Sequence, residues 1–195
     1  DVIPALGAAG LIGAALPPEI GGGGASALAA VAIAEEIGAV DGSVRGFLAV
    51  QAGLVASTIA RHGSEEQKAS WLPGLLEGRL IGAFALTEPE AGSDVGAMRT
   101  RLTRDGGHLV LDGEKVWITN GGVADVLIVF ASEIPEARTK GLSAVLVAPD
   151  AAGLSREPLE GHPLGHRASD HARLRFQGVR VREDDRLGAP GQGFA

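Results

Sequence analysis

Residues 105–119, Asp105-Gly106-Gly107-His108-Leu109-Val110-Leu111-Asp112-Gly113-Glu114-Lys115-Val116-Trp117-Ile118-Thr119, set two Asp-Gly dipeptides among short β-prone runs. Asp-Gly supplies the positive φ that a two-residue hairpin connection needs, so Asp105-Gly106 and Asp112-Gly113 both read as tight turns. The strands they join are expected at Met98–Thr103, His108–Leu111 and Lys115–Thr119. Further strands are expected at Val126–Phe130, Leu142–Val147 and Ala172–Phe176, with Glu133–Lys140 a polar loop between two of them. Several short strands with tight turns imply a small antiparallel β-barrel or sandwich. Helices do not alternate with the strands, which argues against a Rossmann unit.

Upstream of Leu80 the period is helical. A short helix is expected over Ala5–Leu11, ended by Pro17-Pro18 and the loop Gly21–Gly24. Ser26 can cap a second helix whose stretch Ala27–Ile37 is so apolar that burial on most sides is expected, with Gly38 as its C-cap. A third runs from about Ser43 to His62, with Val44, Leu48, Val55 and Ile59 forming one stripe, Phe47, Val50 and Leu54 widening it, and Gly63 as the stop. Ser64-Glu65-Glu66-Gln67 reads as a capping box opening a fourth helix that carries Trp71 and Leu72, and Pro73-Gly74 is expected to break or kink it. The fold class is therefore α+β and multidomain: a helical domain over residues 1–79, then a small antiparallel β-barrel or sandwich over residues 80–195.

Bulk properties narrow the function. The 195 residues are 45% hydrophobic and 21% charged, enough to bury a real core in one large or two small domains. A net charge of −7 is the opposite of a nucleic-acid footprint. The chain has no cysteine, which removes disulfides and thiolate chemistry and agrees with a cytoplasmic location. The apolar run Ala5–Leu16 lacks a preceding basic residue and a small-residue cleavage site, and is too short to span a bilayer. It reads as a buried helix, and no membrane span is expected.

Several candidate sites carry little. Gly21–Gly24 lacks the Lys-Ser/Thr ending and the leading strand of a phosphate loop, so it reads as a flexible connection. Of His62, His108, His162, His166 and His171, the pair His162 and His166 has ligand-like spacing. Pro163 and Gly165 intervene, however, and a third ligand is missing, so no metal site is expected. Ser93 lies outside any Gly-x-Ser-x-Gly elbow, which leaves a serine hydrolase weakly supported.

Two segments say more. In Phe84-Ala85-Leu86-Thr87-Glu88-Pro89-Glu90-Ala91-Gly92-Ser93-Asp94 a strand is expected to end at Thr87. Pro89 forbids its continuation, Gly92 lets the backbone pass close to a bound group, and hydroxyls at Thr87 and Ser93 bracket the turn. In Lys115-Val116-Trp117-Ile118-Thr119-Asn120-Gly121-Gly122, Trp117 and Thr119 are two apart in a strand and share a face, a pairing that suits a planar heteroaromatic ring with a polar edge. Taken singly, each has a plainer reading: a turn with a capping serine, and a core tryptophan beside a strand-end threonine.

Together with three further landmarks these segments resemble the acyl-CoA dehydrogenase family across essentially the whole chain. The others are Gly10-Leu11-Ile12-Gly13 with Pro18-Glu19-Ile20-Gly21-Gly22, Gly63-Ser64-Glu65-Glu66-Gln67-Lys68, and Leu164-Gly165-His166-Arg167-Ala168-Ser169. The resemblance implies a helical domain followed by a β-barrel domain, with FAD lying between the barrel and a C-terminal helical bundle. It implies that Phe84, Leu86, Thr87, Gly92, Ser93, Trp117, Ile118 and Thr119 line the flavin. Ser93 would also lie near the pantetheine arm of an acyl-CoA or acyl-carrier-protein thioester, and Thr119 near the redox-active edge.

It also implies α,β-desaturation with hydride transfer to FAD, using a glutamate base from the C-terminal bundle. The sequence ends where that bundle is expected to begin, so no residue here is assigned a catalytic role. A fragment or split subunit is expected, completed by a bundle or partner subunit in a homo- or hetero-oligomer, with electron-transferring flavoprotein as an implied acceptor. Two alternatives share the fold: a non-catalytic binding or assembly subunit, and a flavin oxidase or monooxygenase.

Overall fold

The computed structural model describes residues 2–161 and 164–194. The chain divides into two compact units, one of Asp1–Gly82 with Glu160–Ser169, the other of Ala83–Leu159 with Asp170–Ala195.

The first unit is helical. Helix α1 covers Val2–Ala8, α2 covers Ala27–Val40, α3 covers Gly42–Leu48, α4 covers Ser57–His62 and α5 covers Glu65–Leu76, with a π-helical stretch Ala49–Ala56 joining α3 to α4. The expected buried helix over Ala5–Leu16 is not formed. Helix α1 has no buried residue, and Gly10, at φ +70°, turns the backbone into a conformation no helix accepts; of that run, Ile12 and Gly13 are buried. Nor is Gly21–Gly24 a loose tether. Gly22, Gly23 and Gly24 donate to the carbonyls of Pro17, Gly13 and Leu16 at 3.0, 3.0 and 2.9 Å, and a Cβ on Gly22 would stand 2.1 Å from Leu16 O. The glycines are there because two backbones touch.

Ser26 caps α2 through Ala29 N (3.2 Å), as expected, but the helix runs past Gly38 to Val40 and none of its residues is buried. Leu28 and Val31 are 79% and 62% exposed. Burial of α2 was inferred from composition, and composition does not supply a neighbour to bury against.

Asp41 caps α3 through the amides of Ser43 and Val44 at 2.7 and 3.0 Å. Gly42–His62, 21 residues, is long and apolar enough by length and composition to cross a membrane. Gln51 at its middle is fully buried, however, donating to Leu75 O (3.0 Å) and Leu80 O (2.7 Å) and accepting from Gly82 N (2.9 Å), which fastens the stretch into the helical unit. The capping box of α5 is present: Gln67 N donates to Ser64 Oγ (3.1 Å) and Ser64 N to Gln67 Oε1 (2.9 Å). Helix α5 does not break at Pro73. Leu72 and Leu75, 2% and 0% exposed, anchor the turns on either side of the lost amide.

The second unit is an eight-stranded sheet: β1 (Gly82–Ala85), β2 (Arg101–Asp105), β3 (His108–Thr119), β4 (Val126–Ser132), β5 (Leu142–Val147), β6 (Leu154–Pro158), β7 (His171–Arg182) and β8 (Arg186–Leu187). The order is β6-β7-β3-β2-β4-β5-β8, with β1 paired to β4. The sheet is mixed rather than purely antiparallel, because β2 meets β4 in parallel at Arg101–Ser132. One core unites Leu109, Leu111, Leu127, Val129, Leu174 and Phe176, and every residue of β4 and β5 is buried.

Asp105-Gly106 is the expected hairpin turn, its strands in register through Asp105–His108. Asp112-Gly113 is not a turn. It lies within β3, where the pairing with β7 slips between Leu111 and Gly113. Gly113 has φ +151°, and a Cβ there would stand 2.6 Å from Thr100 Cα. The dipeptide correctly signals a glycine-only conformation, but here that conformation serves a bulge and a close backbone approach.

Candidate functional site

Both informative segments belong to the sheet unit, and hydrogen bonds join them. Val116 N donates to Thr87 O at 2.9 Å, and Lys115 Nζ donates to Leu86 O at 3.0 Å. Strand β1 stops at Ala85, two residues before the expected end, and the chain then folds into a tight turn in which Glu88 and Ala91 exchange backbone bonds of 3.1 and 3.3 Å.

The predicted residues take distinct positions. Trp117 is 66% exposed, Ile118 is 2% exposed within the sheet core, and Thr119 is half-buried. Trp117 and Thr119 are thus less buried than the Ile118 between them. The side chain of Ile118 is committed to the core, which leaves its backbone as the part that would face a ligand. Trp117 has φ +62°, a conformation disfavoured for a bulky side chain, and sits in a second slip of the β3–β7 register between Lys115 and Ile118. Phe84 is half-buried with its ring 4.7 Å from that of Phe130, Leu86 and Thr87 are half-buried, and Gly92 and Ser93 are exposed. A Cβ on Gly92 would meet nothing within 4 Å, so the space beside it is open.

Thr119 Oγ1 lies 3.2 Å from His171 Nδ1 on β7. The turn after β3 is held from outside: Asn120 N donates to Asp170 O (2.9 Å), Gly122 N to Asp170 Oδ2 (2.6 Å), and Arg156 Nη1 to Ala124 O (3.0 Å).

Sequence reasoning missed the electrostatic centre of this region. Lys115 is 0% and Glu88 5% exposed, and Nζ meets Glu88 Oε1 at 2.9 Å. Glu88 also accepts from Arg99 N (2.6 Å) and Thr100 N (2.9 Å). Burial pulls the Lys115 ammonium down to about 8 although Glu88 opposes that fall. For Glu88, burial pushes the carboxyl up, but Lys115 and the hydrogen bonds outweigh it and hold the group below its ordinary range. A lysine flanking an apolar run, 27 residues from a glutamate at a strand end, was the available signal.

The described residues contain no group of three His, Cys, Asp or Glu that could hold a metal, and the His162 of the His162–His166 pair lies outside them. An exposed indole, three hydroxyls and an open glycine surface do fit a flat heteroaromatic ring with a polar rim.

Comparison with known proteins identifies the domains. Residues 1–79 match the family described as acyl-CoA dehydrogenase, N-terminal domain, and residues 83–179 its middle domain. The short-chain specific acyl-CoA dehydrogenase of Clostridium acetobutylicum is 39% identical over 189 residues, 97% of this chain and 50% of that protein. Butyryl-CoA dehydrogenase from Megasphaera elsdenii superposes with a TM-score of 0.91 at 34% identity, over 98% of this chain and 51% of its own. A glutaryl-CoA dehydrogenase from Mycobacterium smegmatis in complex with FADH2 gives 0.90 at 38% identity, over 97% and 48%. The chain thus spans about half the length of the relatives it matches.

Proposed function

The chain belongs to the acyl-CoA dehydrogenase family, of which it carries the N-terminal and middle domains, and from that premise we propose that it forms one wall of an FAD pocket in an enzyme that desaturates acyl-CoA or acyl-carrier-protein thioesters. The family is one of FAD-dependent flavoprotein oxidoreductases, and its members bind acyl-CoA and interact with electron-transferring flavoprotein. The observation that carries the proposal is the Val116–Thr87 bond, which fastens the segment bearing Trp117 and Thr119 to the one bearing Thr87 and Ser93.

In this reading Trp117 offers its exposed face to the flavin, while Thr87, Thr119 and Ser93 supply hydroxyls to its polar rim and to the thioester arm. Phe84, Leu86 and Gly92 complete the wall, with Ile118 contributing backbone. FAD, when bound, supplies the hydride acceptor. The described residues of this site hold one buried carboxylate, Glu88, already occupied by Lys115 and two amides, so no group here is assigned the α-proton. The base, the rest of the flavin pocket, a bundle or partner subunit, homo- or hetero-oligomeric assembly, transfer to electron-transferring flavoprotein and a cytoplasmic setting are parts of the same proposal. The exposed apolar surface of α2 supports a need for a partner.

Titrating FAD with the purified chain while following flavin fluorescence tests the wall. Saturable quenching is expected, at least about tenfold weaker in Trp117→Ala. Equal affinity in that variant, or no quenching in the parent, would count against it. Turnover of a short acyl-CoA by the chain alone would show that the base lies within it.

A further inference from the structure

We propose that Lys115 and Glu88 are positioning residues, a buried ion pair that holds the two halves of the wall as one surface. The inference rests on the flavin reading and deepens it. Lys115 is among the largest side chains fully withdrawn from solvent in the described residues, and it is a charged one. A hydrocarbon at that position would be at least as stable, because desolvating two ions consumes most of what their attraction returns. What the pair adds is direction. Nζ reaches Glu88 Oε1 at 2.9 Å and Leu86 O at 3.0 Å, while the same carboxylate takes the amides of Arg99 and Thr100 at 2.6 and 2.9 Å.

Three stretches of backbone, 86–88, 99–100 and 115–116, therefore meet at one carboxylate and one ammonium. The register of β3 slips next to Lys115, and Trp117, two residues on, is held at φ +62°. A strained conformation persists where surrounding bonds over-determine it, and this network lies immediately upstream of the strained residue. The pair touches no ligand itself; it sets how Trp117 and Thr87 are presented.

The test is the near-isosteric double variant E88Q/K115M. It removes both charges together, so neither is left buried alone, as it would be in Lys115→Met. With Trp71→Phe as common background, Trp117 emission reads the wall directly, without flavin. The expected result is a double variant with a urea midpoint close to the parent's, a shifted Trp117 emission, and FAD affinity lower by about tenfold or more. Unchanged emission overturns the proposal whether or not FAD binds. Changed emission in a parent that never binds FAD supports the clasp and refutes the flavin reading. If the double variant does not fold, Glu88→Gln alone, which keeps the shape and one of the two acceptor oxygens, is read by the same emission and decided in the same way.

Discussion

Helix α2 and strand β4 are both strongly apolar, and they meet opposite fates: none of the fourteen residues Ala27–Val40 is buried, whereas all seven of Val126–Ser132 are. The difference lies in what surrounds them. Strand β4 has β1, β2 and β5 as neighbours and contributes Leu127, Val129 and Ala131 to the core of its own unit. Helix α2 makes its contacts mainly with α3, and the helical unit's buried residues, Val55, Ile59, Leu72 and Leu75, come from other helices. Apolar composition sets how much surface seeks cover; topology sets whether cover is present.

The contrast can be broken in three places. The largest effect is expected in the sheet core: Phe176→Ala, at 2% exposure, should lower stability by about 3–5 kcal/mol in urea unfolding, and a loss below about 1 kcal/mol would mean the core is looser than described. A smaller effect, on the order of 1 kcal/mol, should come from pH, because Lys115 titrates at about 8 in the folded sheet and near its ordinary 10.5 when unfolded. Between those values the unfolded chain holds a proton that the native chain has released, so stability from this group rises with pH. Glu88 has the other sign at the acid end: its carboxyl is held below 4.5, and its contribution is lost as pH falls through the folded value. Urea midpoints at pH 7.5 and 9.5, parent against E88Q/K115M, isolate the alkaline effect as a gap that widens with pH. The smallest effect is expected on α2, where Leu28→Gln and Val31→Gln, at 79% and 62% exposure, should each stay within about 0.5 kcal/mol while making the chain less prone to self-associate in sedimentation. A loss comparable to that of Phe176→Ala would show that α2 is covered after all.

Much of this was legible beforehand because the signals were local. Ser64 with Gln67, Ser26 before its helix, and Asp105-Gly106 between two strands each complete their chemistry within a few residues. Asp112-Gly113 misled because a turn and a bulge ask the same thing of a glycine, and what separates them, the approach of Thr100, comes from the residue just before β2. Pro73 leaves α5 unbroken because the packing of Leu72 and Leu75 offsets the missing helical bond. At the site, Ile118 lies in the core and Trp117 outside it, and the positive φ and register slip at Trp117 arise from pairing with a remote strand that local alternation does not encode. Lys115 escaped because a lysine in a strand is ordinarily turned to water, and its partner is remote in sequence.

The helical unit draws on two separate pieces of the chain, since Glu160–Ser169 belongs with Asp1–Gly82, and Ala168 N donates to Ser43 Oγ at 3.1 Å across a gap of 125 residues. A ribosome therefore delivers the five helices long before it delivers the second piece of their unit. In the interval strands β1 to β6 emerge, so the helices wait through the synthesis of most of the sheet before the last of their own tertiary contacts can form.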